Sequence, residues 1–206
     1  SYQRQTLDLI LRQKILRTNA HIVIEPHQSS GVVAEPFRLV DALREVDEVS
    51  EVHAFARGEV MMSSPTNIAV NVIVKGIDPE QLSASEQLRG RIDPGDTRWL
   101  IEPDKMLSDR SRFPLRLDRR PDGFDMAVPT RVLPTILLGA ELATNLGVEV
   151  GSEIQLISPD GDVGPTGLRP KLKRFRVAGL FRTGMYEYDQ KMAYTTLANA
   201  QRFFGL

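Results

Sequence analysis

Residues 139–206 decide the fold, and they read GAELATNLGVEVGSEIQLISPDGDVGPTGLRPKLKRFRVAGLFRTGMYEYDQKMAYTTLANAQRFFGL. The pattern predicts a short helix that ends at Gly147, because glycine readily takes the left-handed conformation that closes helices. Thr196 predicts the start of the last helix, since its hydroxyl group can accept a backbone hydrogen bond there. The predicted order is helix 141–146, strand 153–158, loop 159–170, strand 172–183, strand 191–194 and a final helix up to residue 204.

The loop is the most informative feature of this stretch. Its three prolines, Pro159, Pro165 and Pro170, lower the entropy that a loop loses on binding. Because proline has no N–H group, we expect the loop not to pair as an ordinary hairpin tip. The segment therefore predicts a stiff arm that binds another protein, although a long hairpin loop with solvated lysines is an open alternative.

Basic residues follow the loop without an acidic residue between them, from Arg169 to Arg176. A positive surface at the base of an arm suits docking to an acidic or sheet-edge partner. The candidate partner-binding residues are Pro159, Pro165, Gly167, Arg169, Pro170, Lys171, Lys173 and Arg174.

The rest of the chain predicts a mixed α+β fold. Pro36 fits the first turn of a helix, and alternation predicts strands over 49–62 and 68–76 that form a hairpin. The segment 103–131 carries mixed charge and little periodicity, so we expect a long surface insertion. The remaining predicted elements are a helix over 1–18, a strand over 20–24 and a short buried strand over 136–138.

Composition excludes several classes of protein. The net charge of -1 disfavours nucleic-acid binding, and the absence of cysteine excludes disulfide and thiolate chemistry. No apolar run reaches the ~18 residues that a membrane-spanning helix needs. The chain begins without methionine, inside a predicted helix, so we expect it to be a piece of a longer protein.

The sequence offers no convergent catalytic groups. The three histidines, His21, His27 and His53, have no partner at the spacing of a metal site, and no nucleotide-binding or hydrolase motif is present. Glu187 and Asp189 lie close in sequence, but a capping or solvated role is expected for them. We therefore predict no enzyme activity, no cofactor and no metal.

Several segments resemble a known transporter family. Similarity to the extracytoplasmic domain of MacB-type ABC transporter permeases is carried by residues 139–143, 146–148, 150–152 and 177–181. A narrower resemblance is to the permeases of the lipoprotein-releasing (Lol) transporter of Gram-negative bacteria. It rests on GMYEYD at 184–189, on 193–194 and on 197–204, with 19–24 and 75–79 agreeing in the same order.

This resemblance implies a domain organisation. Residues 1–19 would be an N-terminal helix that continues from a membrane helix. A βαβ porter-like subdomain would comprise 20–79 plus 187–206, and an inserted strand-rich (Sabre-like) subdomain would comprise 80–186. In this family the C-type permease carries a proline-containing hook, and the hook-like loop 158–170 lies at the matching place. The E-type permease lacks such a hook, so a C-type or merged form is favoured.

The resemblance also implies a function and partners. Two permeases and two copies of a cytoplasmic ATPase (LolD-like) would release lipoproteins from the inner membrane. The periplasmic domain would hand them to a periplasmic lipoprotein chaperone (LolA-like). ATP hydrolysis would belong to the separate ATPase subunit. The alternative is the periplasmic domain of another permease of this kind, which serves efflux or regulates a cell-wall hydrolase.

Overall fold

The computed structural model describes residues 22–26, 32–33, 35–78, 91–108, 132–164 and 167–206, with the backbone alone over 159–164 and 167–169. The predicted helix over 1–18 lies outside these residues. The helices are α1 (Pro36–Arg44), α2 (Arg98–Ile101), α3 (Pro103–Ser108), α4 (Ala140–Leu146), α5 (Tyr186–Asp189) and α6 (Leu197–Phe204). The strands are β1 (Ala56–Ser63), β2 (Ala69–Ile77), β3 (Ile92–Gly95), β4 (Thr135–Gly139), β5 (Glu153–Gly164), β6 (Gly167–Phe181) and β7 (Met192–Thr196).

The seven strands form one mixed sheet, in the order β3-β6-β4-β7-β2-β1-β5. The sheet closes on itself because β5, at one end of this order, also pairs with β6. β1 and β2 form the predicted antiparallel hairpin, and β2 continues the sheet through a parallel ladder with β7. The mixed helix and strand content agrees with the predicted α+β class.

Two apolar clusters fill the two sides of this sheet. The first lies under α4 and α6 and contains Leu142, Phe175 and Phe203. The second contains Trp99 of α2 and Met106 of α3. Helix α6 sits very close to β2, since a methyl group placed on Gly76 would lie 2.2 Å from the Cβ atom of Ala200. Glycine at this position lets the helix lie flat on the sheet.

The local predictions for β4, α4 and α6 are confirmed. All five residues of β4 are buried, as the apolar run predicts. Helix α4 is closed by Gly147 at φ 65°, in the left-handed region. Thr196 caps α6, and its Oγ1 atom accepts a hydrogen bond of 3.3 Å from the backbone N–H of Asn199.

Three predicted segments differ from the structure. Residues 22–26 are not in a strand, and the side chain of Ile22 is 79% exposed, so the strand over 20–24 is wrong in its described part. The predicted strand 49–62 begins at Ala56, where the ladder with β2 starts. Residues 103–108 are not a surface insertion, because they form α3 with Met106 fully buried. The rest of the predicted insertion, 109–131, lies outside the described residues.

Backbone hydrogen bonds connect the two predicted subdomains in the described part of the chain. The β1–β5 ladder and the β4–β7 ladder each join a strand of 20–79 or 187–206 to a strand of 80–186. The division into two subdomains stays a prediction. None of the helices in the described ranges is both long and apolar enough to cross a membrane.

Candidate partner-binding site

The predicted hook is built from the two longest strands of the sheet, β5 and β6. Their antiparallel ladder runs from Glu153 opposite Arg176 to Gly164 opposite Gly167. We call 153–158 with 171–176 the hairpin base, and 159–164 with 167–170 the outer hairpin. The expectation that 159–170 is a loop unable to pair is therefore wrong, because its backbone continues the ladder almost to the tip.

An irregularity in the ladder explains how the prolines are accommodated. The register shifts between the pair Ser158–Lys171 and the pair Asp162–Arg169. Pro159 and Pro170 both fall inside this shift, where three residues of β5 face one residue of β6. A proline without an N–H group costs no ladder hydrogen bond at such a bulge. The bulge lets a proline-containing segment remain a two-stranded ribbon.

The candidate residues divide according to their place in the hairpin. Pro165 lies outside the described residues. The backbone of Pro159, Gly167 and Arg169 belongs to the outer hairpin. Exposed Pro170 ends the outer hairpin, and Lys171, Lys173 and Arg174 lie on the hairpin base in β6. All the described candidates are thus brought into one hairpin.

Side chains of the hairpin base alternate between two faces of the sheet. Lys171 and Lys173 share the face of buried Phe175 and lie near the end of α6. A methyl group placed on Gly205 would lie 2.9 Å from the Nζ atom of Lys171. Lys173 stands over the Phe175 ring, with 5.6 Å from its Nζ atom to the ring centroid. These two lysines therefore cover the edge of the core.

The other face of the hairpin base is exposed around Leu172 and Arg174, although Arg176 on the same face is buried. It carries Arg174, whose side chain is 68% exposed, and Leu172, which is 57% exposed. Leu172 lies opposite Ile157, which in turn lies opposite Met61 of β1, so an apolar row crosses three strands. The sequence prediction missed this row because it depends on the register between strands. Among the predicted basic residues whose side chains the structure describes, Arg174 is the most exposed.

An ion pair between buried Arg176 and partly exposed Glu153 anchors the start of the hairpin base. Arg176 is only 3% exposed, and its guanidinium group donates to Glu153 Oε1 at 2.8 Å and to the carbonyl of Gly151 at 3.3 Å. Glu153 also pairs with Arg174 at 3.9 Å. Because Glu153 is on β5 and both arginines are on β6, the pair ties the two strands together.

The environment of Lys173 changes its titration. Partial burial lowers the pKa of Lys173 below 10.5, and the positive charge of Arg202 on α6 lowers it further. Both effects arise because the ammonium group lies between the sheet and the end of α6. On the hairpin base, the Lys173 cation is therefore in an unfavourable environment, whereas the Arg174 cation is in solvent.

The acidic motif near the C-terminus has a structural role. Residues 186–189 form α5 rather than an extended segment. The buried carboxylate of Asp189 accepts hydrogen bonds from the backbone N–H and hydroxyl groups of Thr183 and from the N–H of Gly184. Of the two predicted roles, capping or solvated, Asp189 has the capping one. Within the part of the chain that the structure describes, no group of three or more possible metal-ligating residues occurs.

Comparison with known proteins identifies relatives over part of the chain. No protein-family model matches it. Over 121 residues, 58% of this chain, it is 38% identical to the lipoprotein-releasing system transmembrane protein LolC of Neisseria meningitidis serogroup B, of which 25% is covered. Over 71 residues, 34% of this chain, it is 40% identical to LolC of Xylella fastidiosa strain Temecula1, of which 17% is covered. The matched segments thus span a quarter or less of these relatives.

A solved structure is also similar. It is the extracellular domain of the noncanonical ABC-type transporter YknZ from Gram-positive bacteria, with a TM-score of 0.47 and 12% sequence identity, covering 87% of this chain and 70% of that one. The resemblance to permeases of the lipoprotein-releasing system, predicted from the sequence, is confirmed by the relatives named LolC.

Proposed function

We propose that this chain is the periplasmic domain of a C-type or merged permease of a lipoprotein-releasing ABC transporter. In this proposal it takes part in passing lipoproteins from the inner membrane to a periplasmic chaperone. The observation that carries the proposal is the identity of 38–40% to proteins named LolC. The β5–β6 hairpin supplies a plausible means of docking, since it joins a two-stranded ribbon to an exposed cationic base.

The outer hairpin supports docking through its backbone. Beyond Ile157 the ladder between β1 and β5 ends, and no other described strand pairs with 159–164 or 167–170. We propose that a partner's strand pairs with the N–H and C=O groups on the outer edges of this ribbon, which no described strand uses. The prolines limit this pairing to particular positions, which protects the ribbon from indiscriminate edge-to-edge association.

The hairpin base supports docking through its side chains. Exposed Arg174 lies beside the apolar row of Met61, Ile157 and Leu172 on one face. A central apolar contact with a charged residue next to it is the usual composition of a protein-binding patch. We propose that this face meets an acidic surface of the chaperone while the outer hairpin engages its sheet.

The other partners follow from the same family. The parent permease would work with a second permease subunit and with a cytoplasmic ATPase that supplies the energy. In this proposal the chain catalyses no reaction, binds no cofactor and transmits the movement of the permease to the docked chaperone. The lipoprotein itself is the transported substrate.

A shortened hairpin tests the proposal. Ser158 and Lys171 are direct partners in the ladder, so a two-residue Asn-Gly turn can join them in place of 159–170. We expect the chain to bind the periplasmic lipoprotein chaperone of its own organism, and the shortened chain to lose that binding. Binding is measured by calorimetry, with Arg38→Gln on α1 as the control variant, because Arg38 is exposed and far from β5 and β6 in sequence.

Each result has a clear meaning. Loss of binding in the shortened chain, but not in Arg38→Gln, supports docking through the hairpin. Absence of binding by the intact chain would contradict the proposal and favour the alternative permeases that serve efflux or cell-wall hydrolase regulation. Equal binding by the intact and shortened chains would support the transporter role but show that the chaperone does not dock on the outer hairpin.

A further inference from the structure

A row of polar side chains crosses three strands on the side of the sheet that holds the second apolar cluster. Arg57 of β1 lies directly opposite Lys75 of β2, and Lys75 lies directly opposite Tyr194 of β7. Cross-strand partners share a face of the sheet, so these three side chains are neighbours. The row belongs to neither the hairpin base nor the outer hairpin.

Lys75 is the unusual member of the row because it is partly buried beside another cation. Its Nζ atom lies 4.8 Å from the centroid of the Phe55 ring. Burial lowers the pKa of Lys75 below 10.5, and the positive charge of Arg57 lowers it further. A partly buried ammonium group beside a second, exposed cation is in an unfavourable environment, and a bound anion would relieve it.

The described residues do not supply that anion. Among them, no carboxylate forms an ion pair with Lys75 or Arg57. Glu59, two residues beyond Arg57 on β1, is exposed and makes no such contact. The buried carboxylate of Asp189 already accepts hydrogen bonds from Thr183 and Gly184. The negative charge of Asp189 acts on Tyr188 and Tyr194 but forms no ion pair with the cations of the row. Within the described part of the chain, Arg57 and Lys75 therefore have no carboxylate as a direct partner.

Two tyrosines complete the row. The hydroxyl groups of Tyr188 and Tyr194 are hydrogen-bonded to each other. Tyr194 is buried at 3% exposure, and Tyr188 is less buried. Either hydroxyl group can be the donor of this bond, and when Tyr194 donates, the hydroxyl hydrogen of Tyr188 is available to a ligand. Burial raises the pKa of Tyr188, while the hydrogen bond with Tyr194 and the positive charge of Arg57 act to lower it and the negative charge of Asp189 acts to raise it.

We propose that Arg57, Lys75 and the hydroxyl group of Tyr188 form a binding site for a phosphate group. A guanidinium fork and an ammonium group together match the charge of a phosphate, and a hydroxyl donor adds a third hydrogen bond. Bound phosphate would offset the repulsion between the two cations. The group could be inorganic phosphate or the headgroup of an anionic phospholipid, since both present the same oxygens. This inference does not depend on the proposed function.

A titration with inorganic phosphate tests the site. The ¹⁵N-labelled chain is titrated with sodium phosphate at constant ionic strength, and amide chemical shifts are followed. We expect saturable shifts centred on residues 55–57, 75, 188 and 194. Arg57→Gln and Lys75→Gln should each weaken binding about tenfold, because each removes a charge-assisted hydrogen bond. Tyr188→Phe should weaken it about threefold, since only a neutral hydrogen bond is lost.

The control variant is Arg44→Gln, which removes an exposed arginine of α1 that pairs with Asp41. It should bind phosphate as the unaltered chain does. The inference is overturned if Arg57→Gln, whose exposed side chain can be replaced without unfolding the chain, binds phosphate with unchanged affinity. It is also overturned if the shifts centre on Lys171–Arg174 instead.

A second arm identifies the source of the phosphate group. Vesicles of phosphatidylcholine are compared with vesicles that also contain phosphatidylglycerol, in a sedimentation assay. Binding to the anionic vesicles that is lost in the double variant Arg57→Gln/Lys75→Gln assigns the site to a lipid headgroup. Saturable binding of inorganic phosphate without vesicle binding assigns it to the free anion. Vesicle binding that the double variant retains, together with unchanged phosphate affinity, would refute the site.

Discussion

The hairpin base and the outer hairpin are consecutive parts of the same two strands, yet they are held in different ways. The hairpin base contributes Ile154, Leu156 and Phe175 to the core and is tied by the ion pair of Glu153 with Arg176. The outer hairpin pairs only with itself among the described strands. One ladder therefore joins a segment that contributes to the core to a segment whose described strand pairing is with itself.

This difference explains how a stable fold can carry a long two-stranded hairpin. A two-stranded ribbon without a core is marginally stable in water. Here its register is set in the hairpin base, where the buried side chains permit no slip of one residue. The outer hairpin continues the same two strands beyond the bulge, in a shifted register, and need not contribute to the stability of the fold. Its sequence is therefore free to serve binding, and the contrast between the two parts can be tested.

The largest effect is expected from removing a core side chain of the hairpin base. Phe175 is fully buried and meets Phe203 of α6 edge-to-face, at 6.4 Å between ring centroids. Phe175→Ala should lower the free energy of unfolding by about 3–5 kcal/mol, because it leaves a cavity under α6. The neighbouring Leu172→Ala, on the exposed face, should change it by about 0.5 kcal/mol or less. Urea unfolding measures both, and equal losses would refute the assignment of the two faces.

A smaller effect is expected from the two arginines that share Glu153. Arg176 is buried and 2.8 Å from the carboxylate, whereas the Arg174 side chain is 68% exposed and 3.9 Å away. Arg176→Gln should cost about 1–3 kcal/mol, through a lost charged hydrogen bond and lost packing of the buried stem. Arg174→Gln should cost less than about 0.5 kcal/mol, because exposed ion pairs contribute little. Urea unfolding measures both variants. If Arg174→Gln lowered the free energy of unfolding as much as Arg176→Gln, the assignment of Arg176 as the residue that ties β5 to β6 would be wrong.

A still smaller change in stability is expected when the outer hairpin is removed. Joining Ser158 to Lys171 by Asn-Gly deletes a ribbon that no other described strand supports. The free energy of unfolding should change by about 1 kcal/mol or less, since the core is untouched and the turn residues suit a hairpin. Thermal unfolding checks this result. A large loss would show that the outer hairpin supports the fold, contrary to the comparison.

Features of the fold could be predicted from the sequence where they depend on residues that are close together in the chain. The apolar run of β4, the glycine that closes α4 and the threonine that caps α6 each act within a few residues, and each was predicted. Trp99 and Met106 lie on helices of four and six residues, which are too short to show periodicity. Their burial could not be predicted because it is decided by packing against distant strands.

The candidate site shows the same limit. The basic residues and prolines were visible in the sequence, but prolines predicted an unpaired loop. The bulge that accommodates Pro159 and Pro170 exists because the register resumes at Asp162, which no local pattern reveals. The ion pair of Glu153 with Arg176 joins residues 23 positions apart, so it requires the register as well. Likewise α6 is too short for its pattern to separate Phe203, which is buried, from partly buried Phe204.

The smallest effect concerns the pH dependence of the hairpin base. Burial and then the charge of Arg202 lower the pKa of Lys173 below 10.5. Between that lowered pKa and 10.5 the unfolded chain binds more protons than the folded chain, so the free energy of unfolding should rise with pH across this window. Below the lowered pKa both states are protonated, and the cost of holding the cation in the fold is fully present. Lys173→Met should remove this contribution to the slope of the free energy of unfolding against pH.

Titration of the Lys173 ε-methylene signals by ¹H–¹³C NMR checks this expectation directly. Arg202→Gln is the matched variant, because it removes the second cause while leaving burial in place. The pKa of Lys173 should then move part of the way back toward 10.5 and remain below it. A pKa at or above 10.5 in the unaltered chain would place the ammonium group in solvent. Lys171 and Lys173, at the edge of the core, would then resemble exposed Arg174. The hairpin base would present cations on both of its faces.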